Sequence, residues 1–112
     1  MVKITAKDLS ERLTTNEKII LIDVRREADV KGSAHQIPGA VWKNPEQVKD
    51  WAKTLGPEKT VVYCVRGAAV SQSVAQALTE GGRDAVFLEG GIQAWQDGLL
   101  PLEANPIYPN RM

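Results

Sequence analysis

Apolar runs and amphipathic stretches alternate along most of the chain. The runs at 19–24, 61–64 and 85–88 are almost continuous in apolar residues. Runs of this kind are typical of strands that a parallel sheet covers on both faces. Residues 2–4 and 41–42 read as further short strands. Because strand and helix signals alternate, we predict an α/β sandwich with a parallel sheet and right-handed crossovers.

Residue types that favour helix ends mark the borders of the amphipathic stretches. Thr5 followed by Asp8 has the form of an N-cap with an acidic partner three residues later. Asn44 before Pro45 combines a cap residue with a first-turn proline. A glycine pair at 81–82 is a typical helix terminator. The predicted helical segments are 6–13, a short turn at 26–30, 45–55, 72–78, and a last helix from 90–91 to 95–97.

The length and composition are those of a single globular domain. The chain has 112 residues, of which 43% are hydrophobic and 25% are charged, and this is enough for a real core. Pro106 and Pro109 lie in a C-terminal segment without periodicity. We therefore expect one domain over residues 1–102 and an extended tail over residues 103–112.

Charge and cysteine content narrow the function classes. Lysine and arginine together number 14, as do aspartate and glutamate, so no broad attraction to nucleic acid or to a membrane is indicated. No apolar stretch has the length of a signal peptide or a membrane span, and we expect a cytoplasmic protein. The single cysteine, Cys64, and single histidine, His35, do not make a zinc site. We expect neither a metal nor another cofactor.

The stretch around Cys64 carries the candidate chemistry. A β-branched run ends at Cys64, a loop with Gly67 in its middle follows, and a helical segment comes next. In such a strand, loop and helix, the backbone N–H groups of the loop and of the first helical turn converge above the sulfur. This cradle favours a thiolate and holds an anion beside it, and Arg66 adds a positive charge at the rim.

A lone cysteine at a strand end is more often a small buried apolar side chain than a nucleophile. The combination of strand end, glycine, arginine and following helix favours the functional interpretation.

Four motifs in this sequence, taken in order, resemble the rhodanese family of sulfurtransferases over roughly residues 3 to 100. They are Ile20-Leu21-Ile22-Asp23-Val24-Arg25, Ile37-Pro38-Gly39-Ala40, the Cys64 loop, and Leu88-Glu89-Gly90-Gly91-Ile92 with Trp95. The resemblance implies a three-layer α/β/α sandwich with a mainly parallel five-stranded sheet.

The resemblance also implies a reaction. Cys64 would take the sulfane sulfur of a small anionic donor such as thiosulfate as a persulfide, and would pass it to a thiophilic acceptor. That acceptor would be cyanide in assays, and a thiol or a small redox protein in the cell. The substrate-binding loop would consist of Val65, Arg66, Gly67, Ala68, Ala69 and Val70.

Three further residues are candidates near this loop. Asp23 and Arg25 follow a strand at its carboxyl end, where open α/β sheets keep their ligand sites, so they are possible rim residues. For Asp23 we favour a structural role, in which it holds the following loop by a charge-assisted hydrogen bond. His35 suggests a Cys-His dyad, but Ser33 and Ala34 separate it from Gly32, unlike the family spelling.

The loop departs from the family pattern and leaves alternatives open. Ala69 and Val70 stand where many members carry arginine, serine or threonine, so the cradle would be almost entirely backbone. Counted back from the helical pattern, the loop also appears one residue longer than usual. A phosphatase or arsenate reductase of related fold would need an arginine at position 70. A non-catalytic binding module and a partner-loaded sulfur carrier remain alternatives.

Overall fold

The computed structural model describes residues 2–108. The strands are β1 (Lys3–Ile4), β2 (Ile19–Asp23), β3 (His35–Gln36), β4 (Val41–Trp42), β5 (Lys59–Tyr63), β6 (Ala85–Leu88) and β7 (Glu103–Ala104). The α-helices are α1 (Ala6–Thr14), α2 (Glu27–Lys31), α3 (Val48–Trp51), α4 (Ala69–Glu80) and α5 (Gly91–Asp97).

The central sheet contains five parallel strands in the order β1-β6-β5-β2-β4. Side chains alternate between its faces, so that Val61 and Tyr63 of β5 join one core cluster and Val62 joins the other. The first cluster includes Leu9 of α1 and Trp95 of α5, and the second includes residues of α3 and α4. The predicted three-layer sandwich with a mainly parallel five-stranded sheet is confirmed.

The register of the sheet brings two strand ends together. Asp23, the last residue of β2, pairs with Tyr63, the last residue of β5, and also with Trp42 of β4. Val24 and Cys64 therefore leave the sheet side by side at its carboxyl edge. This is the edge at which parallel sheets keep their ligand sites.

Both predicted helix caps are confirmed. The Thr5 hydroxyl accepts a hydrogen bond from the Asp8 backbone N–H at 3.1 Å. The Asn44 side chain accepts one from the Glu46 backbone N–H at 2.9 Å, with Pro45 in the first turn.

The prediction of one continuous α-helix over 45–55 is wrong, because only part of this segment is α-helical. Its middle is α3, but Pro45–Gln47 and Ala52–Thr54 are 3₁₀ turns. The carbonyls of Ala52 and Leu55, at the C-terminal end of the segment, accept hydrogen bonds from the Arg83 guanidinium. The predicted buried face is confirmed, because Val48, Trp51, Ala52 and Leu55 all pack on the second core cluster.

Within the described part of the predicted extended tail, Glu103–Ala104 is extended as β7, residues 106–107 form a turn, and the segment is docked on the domain. Strand β7 pairs antiparallel with β3. The buried Asn105 side chain donates to the carbonyls of Val30 and Ser33 at 2.8 Å each. These contacts tie the chain after β7 to the last turn of α2 and to the segment that follows it. The rest of the predicted tail, residues 109–112, lies outside the described residues.

Candidate active site

Cys64 is the first residue after the central strand β5. Its side chain is buried, with 6% of its surface exposed. It nevertheless lines a cavity of about 310 Å³ at the carboxyl edge of the sheet. The other lining residues are Arg25, Arg26, Asp29, Val65, Arg66, Ala68, Ala69 and Val70. The thiol therefore faces a small open space that several cationic side chains border.

The loop after Cys64 is shorter than predicted. Helix α4 begins at Ala69, so Ala69 and Val70 belong to its first turn, and the loop proper is Val65–Ala68. The predicted helical segment, given as 72–78, therefore begins three residues earlier than expected. Ala68 occupies the N-cap position and makes no side-chain cap. The sequence carries no residue that marks this helix start.

Two glycines allow the loop to lie directly against the turn between β6 and α5. Gly67 has a φ of +69°, and a Cβ there would lie 2.6 Å from the Gly90 nitrogen and 2.7 Å from the Leu88 oxygen. Gly91 has a φ of +62°, and a Cβ there would collide with the carbonyls of Cys64 and Val65. Backbone approaches of this kind leave no room for a side chain on either segment.

Helix α5 orients the peptide groups next to the nucleophile. The N–H groups of Ile92 and Gln93, in its first turn, donate to the carbonyls of Cys64 and Val65 at 3.0 Å each. In a trans peptide the N–H points away from the preceding C=O. The N–H groups of Val65 and Arg66 therefore point away from α5, to the side of the loop where the cavity lies.

The backbone donors beside Cys64 are free to bind a ligand. Within residues 2–108, no carbonyl, carboxylate or hydroxyl accepts a hydrogen bond from the backbone N–H groups of residues 65–71. Unpaired backbone donors at a loop and a helix N-terminus form an anion-binding concavity. The unpaired donors agree with the predicted backbone cradle beside Cys64, and anion binding by that cradle stays a prediction.

One side chain also contacts the sulfur. The Cys64 thiol donates a hydrogen bond to the Ser71 hydroxyl, with 3.1 Å between Sγ and Oγ. Ser71 is completely buried and is the third residue of α4. The candidate stretch from Cys64 to Ser71 includes this residue, but its place seven residues beyond the cysteine predicts no contact between the two side chains.

Asp23 and Arg25 form a buried ion pair. Asp23 is completely buried, and Arg25 is 2% exposed. The guanidinium donates to both carboxylate oxygens at 2.7 to 3.0 Å, and the Arg25 backbone N–H donates to Oδ1 at 3.0 Å. Through these charge-assisted hydrogen bonds Asp23 holds the loop that follows β2, which is the structural role predicted for it. Arg25 lines the cavity, whereas Asp23 does not.

Tyr63 lies next to this ion pair and is fully buried. The Arg25 guanidinium carbon lies 5.9 Å from the centre of its ring, and its hydroxyl accepts a hydrogen bond from the Ile37 backbone N–H at 3.3 Å. Burial raises the pKa of Tyr63 far above its usual value, and the negative charge of Asp23 raises it further. The phenol therefore stays neutral in the folded protein.

This shift predicts a loss of stability at alkaline pH. The unfolded chain releases the tyrosine proton above about pH 10, whereas the folded chain keeps it. The unfolded state then binds fewer protons, so the free energy of unfolding falls as pH rises, by up to about 1.4 kcal/mol per pH unit. In Tyr63→Phe this contribution is absent. Urea denaturation at pH 9 to 11 should give a steeper decline for the wild type; parallel declines would contradict the prediction.

The structure does not bring His35 to the thiol. His35 is exposed in β3 and is not among the residues that line the Cys64 cavity. Its contact with the site is indirect, because its backbone carbonyl accepts a hydrogen bond from Arg25 Nη2 at 3.1 Å. A Cys-His dyad is therefore not formed in this structure.

Arg26 and Asp29 also line the cavity, although the sequence does not predict either as a site residue. Both follow β2 and approach Cys64 because β2 and β5 are neighbours in the sheet. Within the described residues, the side chains of Arg26 and Arg66 make no ion pair and no hydrogen bond. Two exposed cations at the cavity thus remain available to an anion, with Asp29 as the one carboxylate among the lining residues.

The described residues contain neither a cluster of metal-ligating side chains nor a membrane-crossing helix. In residues 2–108, no group of three or more histidine, cysteine, aspartate or glutamate side chains is arranged to hold a metal ion. Over the same residues, none of the helices has the length and apolar character needed to cross a membrane.

The fold and site define an α/β protein with a cysteine at the end of a central parallel strand and a backbone anion cradle around it. A family model described as the rhodanese-like domain matches residues 5–98. The chain belongs to the rhodanese-like domain family, as the motif resemblance predicted.

Similar proteins carry sulfurtransferase names. The chain is 31% identical over 99 residues to a putative sulfurtransferase, YtwF, of Bacillus subtilis. The matched region covers 88% of this chain and 94% of that protein. The chain is 30% identical over 103 residues to a sulfurtransferase of Allochromatium vinosum, covering 91% and 94% respectively. These relatives support the sulfurtransferase class.

Solved structures agree with the fold. A rhodanese-related protein from Thermoplasma volcanium superposes with a TM-score of 0.79 at 25% identity, over 92% of this chain and 98% of that chain.

Proposed function

We propose that this protein transfers a sulfane sulfur from thiosulfate, or a similar small anionic donor, to a thiophilic acceptor through a persulfide on Cys64. In assays the acceptor is cyanide; in the cell it is a thiol or a small redox protein, and the site of action is the cytoplasm. The observation that carries the proposal is the set of unpaired N–H groups of residues 65–71 around the buried thiol.

The first half of the reaction loads the enzyme. The Cys64 thiolate attacks the outer sulfur of thiosulfate, a new S–S bond forms, and the S–S bond of thiosulfate breaks. Sulfite leaves with the electron pair. The unpaired backbone donors and the nearby Arg26 and Arg66 favour binding of the dianionic donor.

The second half discharges the persulfide. Cyanide attacks its outer sulfur, a C–S bond forms, and the bond from that sulfur to Cys64 breaks. Thiocyanate leaves, and the electron pair returns to Sγ as the thiolate. The outer sulfur of the persulfide is itself anionic, so the cradle that binds the donor also stabilises this intermediate.

Intact mass spectrometry tests this cycle directly. After incubation with thiosulfate we expect a gain of about 32 Da, one sulfur atom, which cyanide removes. Because Cys64 is the only cysteine, the adduct is assigned without peptide mapping. The control is Cys64→Ser, which should fold and gain nothing.

If no adduct appears while Cys64 reacts readily with iodoacetamide, thiosulfate is not the donor. A partner-loaded sulfur carrier, or a binding module, would then be the better interpretation of the same cradle.

A further inference from the structure

Ser71 is the side chain in closest polar contact with the nucleophile, and the reaction above does not use it. Its hydroxyl lies 3.1 Å from Cys64 Sγ, and it is fully buried on the face of α4 that packs toward the sheet. The loop itself supplies no side-chain hydroxyl, because residues 65–68 are valine, arginine, glycine and alanine. Ala69 and Val70, in the first turn of α4, carry none either.

The direction of this hydrogen bond depends on the state of the sulfur. The protonated thiol donates to Ser71 Oγ. A thiolate has no proton to donate, so the hydroxyl turns and donates to Sγ. A hydrogen bond to a charged acceptor is about twice as strong as one between neutral groups. The contact therefore favours the thiolate over the thiol.

We propose that Ser71 is a catalytic residue that stabilises Sγ when it carries charge, as the attacking group before loading and as the leaving group during discharge. In the persulfide the charge lies on the outer sulfur, and Sγ is a neutral, weak acceptor. Ser71 then contributes least. Its contribution returns as the S–S bond breaks and the electron pair moves onto Sγ.

The first test is the pH dependence of alkylation of Cys64 by iodoacetamide, which needs no sulfur donor. In Ser71→Ala we expect the midpoint of the rate profile to move up by about half to one pH unit, the difference between the hydrogen bond to a thiolate and the weaker one from the neutral thiol. The matched control is Ser73→Ala, two residues further along the same helix and exposed. It should leave the midpoint unchanged.

A second pair of variants separates the hydroxyl from the volume of the side chain. Ser71→Thr and Ser71→Val have almost the same shape, and only the first keeps the hydroxyl. We expect the threonine variant to retain a midpoint near that of the wild type and the valine variant to shift like Ser71→Ala. Equal midpoints in the wild type, Ser71→Ala and Ser71→Val would overturn the proposal and leave Ser71 a packing residue.

The second test concerns the two half-reactions and rests on the proposed function. A poorer thiolate leaving group departs more slowly, so cyanide should discharge the persulfide of Ser71→Ala about three- to tenfold more slowly than that of the wild type. Faster or equal discharge would contradict the role in leaving.

The two tests fail separately. A shifted alkylation midpoint with no persulfide in any variant would disprove sulfur transfer from thiosulfate and keep the role of Ser71. A persulfide that forms normally, with an unshifted alkylation midpoint in Ser71→Ala, would support sulfur transfer from thiosulfate and disprove the role of Ser71.

Discussion

Replacement of Asp23 by alanine should lower the free energy of unfolding by about 3–5 kcal/mol, because it leaves the Arg25 guanidinium buried without a counter-charge. Arg25 is only 2% exposed and cannot reach water without moving the loop that follows β2. A domain of this size has a total stability of about 5–15 kcal/mol. Urea denaturation followed by circular dichroism measures the loss.

A neighbouring ion pair provides the control. Glu27 and Lys31 lie in α2, four residues apart, and both side chains are more than half exposed. Glu27→Ala should cost no more than about 0.5 kcal/mol. The double variant Asp23→Leu/Arg25→Met should recover part of the loss, since it removes both charges together. If Asp23→Ala lowers the free energy of unfolding by less than about 1 kcal/mol, the Arg25 guanidinium reaches solvent in that variant, and the prediction is wrong.

Gly67→Ala should disable the site as well as destabilise the fold. The left-handed backbone alone costs a side chain about 1–3 kcal/mol. In addition, the new Cβ would lie 2.6 Å from the Gly90 nitrogen and 2.7 Å from the Leu88 oxygen. Because those atoms belong to backbone, the loop must move, and the donors above Cys64 move with it. We expect persulfide formation from thiosulfate to fall at least about tenfold.

Gly82→Ala separates the two costs. Gly82 also has a positive φ, +89°, but a Cβ there would meet nothing within 4 Å. This variant should lose only the stability that a left-handed backbone costs a side chain, and it should still form the persulfide from thiosulfate. Gly67→Ala should be less stable than Gly82→Ala by about 1–3 kcal/mol, the usual cost of overpacking. Equal stability and equal loading in the two variants would refute the close approach.

The parts of the fold that sequence predicts well are those with strong local signals. The apolar run of β2 and the Thr5 cap of α1 lie where the pattern put them. The start of α4 was misplaced because Ala68 and Ala69 carry no capping signal. The carbonyl of Leu55, at the end of the segment around α3, accepts a hydrogen bond from Arg83, and a contact across 28 residues is invisible to a local pattern.

In the candidate site, too, the sequence predicts the contiguous residues and not those that the fold brings together. Cys64 and the loop after it are contiguous, so a motif identifies them. Arg26 and Asp29 reach the cavity only because β2 lies next to β5 in the sheet. Ser71 reaches the sulfur because α4 starts early enough to turn its third residue inward. Neither fact can be read from spacing without the strand order and the helix start.

The hydrogen bonds from α5 to the carbonyls of Cys64 and Val65 have a consequence for the energy of charge movement. In water, solvent dipoles must rotate each time negative charge passes from one sulfur to another, and that rotation is a large part of the barrier. Here the peptide dipoles next to the sulfur are held in place by a second helix before any anion arrives. For the proposed sulfur transfer, the orientation of these two peptide groups is therefore established during folding, by the packing of α5 against the loop, and adds nothing to the barrier.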